Sequence, residues 1–188
     1  MATVRQHGKH VESPRYRKYY KNQDALEKTI GYICRETTET DEDLVEGLRG
    51  GYGVDMRSCK TIIEDMRLVK SVYGKTGGRQ LKHFSVDLTA EETAGIRDLK
   101  AFANEIAGYY GKEYQTVFQG HRSFENERER IHIHFCCNSV NYMTGKKIAD
   151  KKYDLKEFKK FVNEVVEKYR IPNELGSETG NTNGGETK

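Results

Sequence analysis

The sequence predicts an α+β fold, in which an antiparallel β-sheet has helices packed on one face and leaves its other face polar. Two observations support this class. Segments whose apolar residues recur every second position alternate along the chain with segments whose apolar residues recur every three or four positions. The clearest strand, residues 130–140, separates apolar side chains from histidines onto opposite faces. The 188 residues are enough for one ordinary domain.

Strands are predicted where apolar and polar residues alternate. In segment 130–140 the apolar face consists of Ile131, Ile133, Phe135 and Cys137, and the polar face consists of His132, His134, Cys136 and Asn138. Segments 83–88 and 114–121 are also predicted to be strands, and 3–7 is a further candidate. The charged stretch after His121 is expected to form a long hairpin loop, which would return His121 to the side of the other two histidines.

Four amphipathic helices are predicted from apolar residues spaced three and four apart. They cover 23–35 and 57–73, and the other two begin at Thr89 and Asp154. The helix from Thr89 is expected to be one helix that carries Ile96, Leu99, Phe102, Ala103 and Ile106 on its inward face. Thr89 and Asp154 are each followed three residues later by a glutamate, and this spacing predicts a capping box at each helix start.

Charge is distributed unevenly along the chain. The formal net charge is +3, but residues 1–21 alone carry a net +5, from six basic side chains and Glu12. The basic residues are Arg5, Lys9, Arg15, Arg17, Lys18 and Lys21, with Tyr16, Tyr19 and Tyr20 between them. This basic aromatic arm either contacts the phosphates and bases of a nucleic acid or is a solvated terminus. Residues 1–172 are expected to form one domain, and 173–188 a disordered tail or the start of a linker.

Several classes of protein are excluded by composition. No apolar run is long enough to cross a membrane, and the N-terminal residues lack the apolar stretch of a signal peptide, so a cytoplasmic protein without membrane insertion is expected. The four cysteines lack CxxC spacing, which argues against a zinc knuckle or a disulfide framework and for reduced thiols.

The histidines suggest a metal site. His132 and His134 are two residues apart on a strand and therefore project from the same face, within reach of one ion. With His121 they would supply three neutral imidazoles and leave an open coordination position. The alternative is that alternating histidines simply cover a solvent-facing strand.

Three segments resemble the relaxase/mobilisation nuclease family, in the order and at the spacing that the family shows. GHRSFENERERIHIHFCCNSVNYMTGKK resembles its metal-binding motif, and ALEKTIGYICRETTET resembles its nucleophile segment. GKTGGRQLKHFSVDLTAEET resembles its strand-to-helix segment. Together the three matches span residues 25–148.

The resemblance implies an HUH-type endonuclease that nicks one DNA strand at a transfer origin and stays attached through a 5′-phosphotyrosine. Carried over by position, Tyr32 is the nucleophile, and His121, His132 and His134 bind Mn or Mg. The implied setting is the bacterial cytoplasm during plasmid or mobile-element transfer. The implied partners are single-stranded or locally melted transfer-origin DNA, relaxosome accessory proteins and a coupling protein.

Further residues are predicted to serve the site. His83 is expected to bind phosphate or orient the nucleophile, with a structural role as the alternative. The predicted DNA contacts are Arg15, Arg17, Lys18, Tyr19, Tyr20, Lys21, Arg79, Lys82, Asn138, Lys146 and Lys147. Ser123 stands where family members often have an acidic residue, and Asp87 and Glu125 are the candidates to supply that carboxylate.

Two alternative functions remain open at this point. A rolling-circle replication initiator would use the same motifs, and a non-catalytic single-strand-binding module would use the polar sheet face and the basic arm. Tyr32 itself could be an ordinary aromatic residue at the rim of a helix packed on the core.

Overall fold

The computed structural model describes residues 2–7, 20–34, 43–149 and 153–171. In chain order the elements are β1 (Thr3–Gln6), α1 (Ala25–Ile33), β2 (Asp43–Tyr52), α2 (Cys59–Val72), β3 (Leu81–Thr89), α3 (Ala90–Ala94), α4 (Leu99–Gly111), β4 (Tyr114–Glu125), β5 (Arg128–Asn141) and α5 (Asp154–Tyr169). The strands form one antiparallel sheet in the order β1-β3-β5-β4-β2. The predicted α+β class is confirmed. None of the described helices is long and apolar enough to cross a membrane.

Helices cover both faces of the sheet, which corrects the prediction that they pack on one face only. Helices α4 and α5 bury the apolar face of β3, β4 and β5 and form the larger core. Helices α1 and α2 pack on the histidine-bearing face, over Leu81, Val117 and Cys136. These three apolar residues are scattered among polar neighbours on three different strands. A continuous apolar patch therefore exists only after the strands pair, and the sequence of any one strand does not reveal it.

Strand β2 was not predicted, because glycines replace the alternating side chains that identify a strand. Gly50 lies against the ring of Phe118, and Gly51 lies against the backbone of Thr116, so neither position has room for a Cβ atom. Gly47 has a φ of +74°, and the register of β2 against β4 shifts beside it. Gly47 thus permits a β-bulge, and Gly50 and Gly51 permit close packing against β4.

The predicted helix from Thr89 is two helices. The capping box at Thr89 is confirmed, but α3 ends at Ala94, and Ile96 forms an isolated antiparallel bridge with Arg170. Asp98 then caps α4 by accepting a hydrogen bond of 2.8 Å from the backbone N–H of Ala101. The bridge to the end of α5 requires extended backbone at the point where apolar periodicity alone predicts a continuous helix. At the start of α5, Asp154 is the first helical residue and Tyr153 is the N-cap, which corrects the second predicted capping box.

The connection between β4 and β5 is a tight turn rather than the predicted long loop. Both strands continue through the charged stretch, and only Asn126 and Glu127 connect them, with φ values of 51° and 63°. Two consecutive residues with positive φ are typical of a type I′ hairpin turn. The hairpin places His121 directly opposite His132.

Candidate active site

Three neighbouring strands present the histidines on one face of the sheet. Strand register sets His134 of β5 opposite Ser85 of β3, and His132 opposite both Asp87 of β3 and His121 of β4. Directly paired residues of an antiparallel sheet share a face, so all of these side chains project to the same side. This side is the histidine face.

The closest group of possible metal ligands on the histidine face is His7, His83 and His134. Their ligand nitrogens all lie within 4.8 Å of one another. The Nε2 atom of His83 is 3.1 Å from Nδ1 of His134, and the ring of His7 stacks on that of His83 with centroids 4.3 Å apart. Within the described part of the chain, this is the one such group of histidine, cysteine or acidic side chains. Of the predicted ligand set His121, His132 and His134, it contains His134 only.

The donor set of this cluster fits a divalent transition-metal ion. Burial, reinforced by the neighbouring histidines, lowers the pKa of His83 to about 3 and that of His134 to about 2. Both imidazoles are therefore neutral at pH 7, the form that binds metal. Neutral imidazoles suit first-row transition metals better than Mg²⁺, which prefers oxygen ligands.

His132 is held by a carboxylate and a hydroxyl group. Its Nδ1 is 2.9 Å from Oδ1 of Asp87, and its Nε2 is 2.8 Å from Oγ of Ser123. Asp87 also accepts a hydrogen bond of 3.0 Å from Ser85 and pairs at 2.6 Å with the guanidinium of Arg5. Burial acts to raise the pKa of Asp87, but these partners outweigh it and keep the pKa below its usual value. Asp87 is thus an ionised group that fixes the ring of His132.

The carboxylate expected near Ser123 is therefore present, but it supports a different histidine. Asp87 contacts His132 rather than His121. The other candidate, Glu125, pairs with Arg130 at 2.7 Å near the hairpin turn.

His121 fixes the helix that carries Tyr32. Helix α1 buries Leu26, Ile30 and Ile33 along one stripe, which leaves Tyr32 off that stripe and 40% exposed. The carbonyl of Ile33, in the last turn of the helix, accepts a hydrogen bond of 2.8 Å from Nε2 of His121. A carbonyl can only accept, so Nε2 carries the proton and Nδ1 is the basic nitrogen of the neutral ring.

The ring of Tyr32 lies edge-on against the histidines. Its centroid is 5.4 Å from that of His134, 5.5 Å from that of His121 and 6.5 Å from that of His83. The structure thus brings together Tyr32, His83, His121 and His134, four of the five residues that the sequence assigned to catalysis and metal binding. His132, the fifth, lies on the same face in the network with Asp87.

Tyr20 lies in the site rather than in a separate DNA-binding arm. Its hydroxyl is 3.1 Å from Nδ1 of His83, and burial raises the pKa of Tyr20 to about 12. Lys21, next in the chain, is exposed. The other predicted arm contacts, Arg15, Arg17, Lys18 and Tyr19, lie outside the described residues.

Two of the predicted DNA contacts are buried in the structure. Asn138 is on the histidine face but completely buried, where it donates hydrogen bonds to the Met66 carbonyl and the Gln115 side chain. Lys82 is on the opposite face, 6% exposed, with its Nζ 4.7 Å from the ring centroid of Tyr110. Both polar residues lie in the interior of the fold, and the alternation pattern of their strands does not predict this burial.

The remaining predicted contacts form a basic group at the far end of β5. Lys147 donates hydrogen bonds to the carbonyls of Gly77 and Arg79, and these bonds join the segment after β5 to the segment before β3. Arg79 is half-buried and donates to the Leu81 carbonyl at 3.0 Å, and Lys146 is exposed. Lys146 therefore presents its charge to solvent, and Lys147 is mostly engaged with the backbone.

Sequence reasoning missed His7 and the ion pair of Arg5 with Asp87, and it expected Asp87 to support His121 rather than His132. Residues 3–7 were predicted to form a strand, and alternation along it puts Arg5 and His7 on one face. What the sequence does not give is the pairing partner of this strand. Only its register against β3, with Arg5 opposite Ser85, shows that this face is the histidine face.

Comparison with known proteins identifies the family. Residues 32–171, about three quarters of the chain, match the family described as "Relaxase: MobA/VirD2-like, nuclease domain". Neither the curated proteins nor the solved structures contain a significant match to this chain. The matched segment includes Tyr32 and every histidine of the site except His7. The chain therefore belongs to the MobA/VirD2-like relaxase nuclease-domain family.

Proposed function

We propose that this relaxase domain nicks one strand of DNA at a transfer origin and rejoins it through a 5′-phosphotyrosine on Tyr32, with a divalent metal ion bound on the histidine face. The observation that carries the proposal is the position of Tyr32. Tyr32 is 40% exposed, and its ring centroid lies within 5.5 Å of the ring centroids of His121 and His134. A nucleophile must meet both substrate and activating groups, and this position satisfies both requirements.

The other tyrosine near the histidines is a poorer nucleophile. The hydroxyl of Tyr20 is hydrogen-bonded to His83, and burial raises its pKa to about 12, so its phenolate is disfavoured. Tyr32 is more exposed, and its helix is anchored to the sheet by the bond between His121 and Ile33. The role of nucleophile is therefore assigned to Tyr32.

In the nicking step, the oxygen of Tyr32 attacks the phosphorus and the bond from phosphorus to the 3′ oxygen breaks. The phenol proton passes to Nδ1 of His121, which is the basic nitrogen of that ring because Nε2 donates to Ile33. The 3′ oxygen leaves with the bonding electron pair and takes up a proton from water. The same steps in reverse reseal the strand, since the phosphotyrosine bond conserves the energy of the phosphodiester.

A divalent ion, when bound, would stabilise as a Lewis acid the negative charge that develops on the phosphate. His134 is common to the ligand set expected from the sequence and to the compact cluster in the structure, so it is assigned as a ligand. The ionised Asp87 holds the ring of His132 at the edge of the site. Arg5, which pairs with Asp87 and is 60% exposed, offers a cationic contact for the phosphate.

The proposed substrate is single-stranded or locally melted transfer-origin DNA. Lys146 and the basic arm, residues 1–21, would bind its backbone. Relaxosome accessory proteins and a coupling protein remain predicted partners.

The test is a covalent-adduct assay with a fluorescent single-stranded oligonucleotide that contains the transfer origin, analysed on a denaturing gel. We expect Tyr32→Phe to abolish both cleavage and the adduct while DNA affinity stays within a few-fold, because only the nucleophilic oxygen is lost. Tyr109→Phe is the matched control, since Tyr109 is similarly exposed but packs against Phe158 and Phe161 on the other side of the sheet.

Two other outcomes would contradict the proposal. An adduct retained by Tyr32→Phe and lost in Tyr20→Phe would transfer the role to Tyr20. Binding of the oligonucleotide by the unaltered protein, with no cleavage in Mn²⁺ or Mg²⁺, would favour the non-catalytic binding module.

A further inference from the structure

His83 is buried on the histidine face, and both of its ring nitrogens contact other side chains. The residue is 5% exposed. Its Nδ1 is 3.1 Å from the hydroxyl of Tyr20, and its Nε2 is 3.1 Å from Nδ1 of His134. The ring of His7 stacks on it, with centroids 4.3 Å apart. This burial suits a residue that acts through a neighbouring side chain rather than one that contacts DNA directly.

Tyr20 is anchored beside the start of β3, the strand that carries His83. The backbone N–H of Gln80 donates a hydrogen bond of 2.7 Å to the carbonyl of Tyr20. The side chains of Tyr20, His83 and His134 therefore form one hydrogen-bonded chain, which runs from the segment before α1 through β3 to β5. This chain gives the hydroxyl of Tyr20 a role, although Tyr20 is not the proposed nucleophile.

The direction of the protons along this chain decides whether His134 can bind a metal ion. A neutral imidazole carries one proton, so a contact between two such rings has one donor nitrogen and one acceptor nitrogen. If His83 donated to Nδ1 of His134, the proton of His134 would lie on Nε2, and neither nitrogen of that ring could bind an ion. If His134 donates from Nδ1, its Nε2 is basic. His83 then donates from its own Nδ1 to the oxygen of Tyr20, which can accept as well as donate.

The second arrangement is the one that a metal-binding histidine commonly has. Such a histidine donates its other N–H to a neighbouring acceptor, and this bond fixes the tautomer and the orientation of the ring. Asp87 makes the corresponding contact with Nδ1 of His132. His134 lies between β3 and β4, with its ring centroid 5.3 Å from that of His83 and 4.7 Å from that of His121. On the β3 side, the available acceptor for His134 is the imidazole of His83 rather than a carboxylate.

We propose that His83, supported by Tyr20, is a positioning residue for the metal ligand His134. His83 accepts a hydrogen bond from Nδ1 of His134, and Nε2 of His134 is thereby kept free of a proton and directed to the divalent ion. The inference rests on the proposed function for the presence of an ion. It deepens that function by naming the residues that orient one of the ligands.

The first test measures Mn²⁺ affinity without DNA, by calorimetry. His83→Met and His83→Gln are a matched pair, because the two unbranched side chains have nearly the same length but only glutamine has a strong acceptor oxygen. We expect His83→Met to weaken Mn²⁺ binding about 10–100-fold and His83→Gln to stay within a few-fold of the unaltered protein. Melting temperatures of both variants check the fold.

Tyr20→Phe tests the other end of the chain. It should weaken Mn²⁺ binding about two- to tenfold, the effect of one neutral hydrogen bond. Tyr73→Phe is its control, since the hydroxyl of Tyr73 donates to the carbonyl of Tyr142, beyond the end of β5, and its loss should leave Mn²⁺ affinity unchanged.

Two spectroscopic readouts separate positioning from ligation and from a merely structural role. Pulsed electron paramagnetic resonance of bound Mn²⁺ counts coordinated imidazoles, and the count should be the same in His83→Gln as in the unaltered protein. NMR of the imidazole nitrogens shows which nitrogen carries the proton. With Zn²⁺ as a diamagnetic probe that imidazole also binds, we expect the proton on Nδ1 in both His83 and His134.

The opposite results have distinct meanings. One imidazole fewer in His83→Gln would make His83 a ligand and overturn its positioning role. Equal affinities in His83→Met and His83→Gln, whether both weakened or both unchanged, or a proton on Nε2 of His83, would also overturn the inference while leaving the metal-dependent function intact. Failure of the unaltered protein to bind Mn²⁺ would overturn the metal dependence of the proposed function together with this inference.

Discussion

Replacing Asn138 with alanine should destabilise the fold and leave DNA binding unchanged. Asn138 is completely buried beneath helix α2, where it contacts Met66 and Lys70. Its Nδ2 donates to the carbonyl of Met66 at 2.9 Å and to Oε1 of Gln115 at 2.8 Å. Its Oδ1 accepts from the ammonium of Lys70, which is itself buried and also donates to the Gln80 carbonyl at 2.5 Å.

The expected loss follows from the three groups that Asn138 satisfies. Each buried polar group left without its partner costs about 1–3 kcal/mol. Burial lowers the pKa of Lys70 to about 8, so this lysine can lose its proton and avoid part of the cost of losing an acceptor. We therefore expect Asn138→Ala to lower the free energy of unfolding by about 3–5 kcal/mol, out of a typical total of about 5–15 kcal/mol.

Urea unfolding at pH 7 measures the loss, and oligonucleotide titration well below the melting temperature measures binding by the folded variant. Asn22→Ala is the control for stability, because Asn22 is exposed and its replacement should change stability by less than about 0.5 kcal/mol. Affinity for DNA should stay within about twofold. Unchanged stability together with weakened DNA binding would refute the reasoning and restore Asn138 as a DNA contact.

Two further predictions concern the site and the arm. Asp87→Asn should slow single-turnover nicking by about 10–100-fold, because the amide keeps the shape of the side chain but not the charge that fixes His132. Nicking at the original rate would contradict this role of Asp87. Alanine substitution of four arm residues should lower the slope of log affinity against log salt on single strands by about 1.4–2.1, because two or three phosphates would no longer be neutralised and each accounts for about 0.7 of the slope. Lys82→Met, at a buried position on the opposite face, should leave that slope unchanged, and an unchanged slope in the arm variant would mean that its charges are solvated. The arm residues are Arg15, Arg17, Lys18 and Lys21.

The parts of the fold that the sequence predicted correctly are those with a strict local period. Strand β5 alternates over its whole length, and α5 carries one apolar stripe, so each is recognisable without its neighbours. Strand β2 was not predicted, because its glycines are required by close contacts with Phe118 and Thr116 on β4, which are distant in sequence. The break between α3 and α4 likewise depends on a bridge to the end of α5.

The candidate site was predictable to a similar extent and for a similar reason. Spacing alone places His132 and His134 on one face, and the family motif points to Tyr32. Alternation also groups Asn138 with the histidines, but it does not tell which part of a face a helix will cover. His7 needed the register between β1 and β3 before it could be assigned to the site at all.

The packing of helix α1 on the histidine face also determines where Tyr32 lies. The apolar stripe of the helix packs on one end of the histidine face, over Val117 and Cys136. Since Tyr32 lies off that stripe at the end of the helix, it reaches the boundary between the covered part and the histidines. His121 then fixes this boundary through the Ile33 carbonyl. The helix packing that covers one end of the polar face therefore places Tyr32, the proposed nucleophile, beside the histidines at the uncovered end.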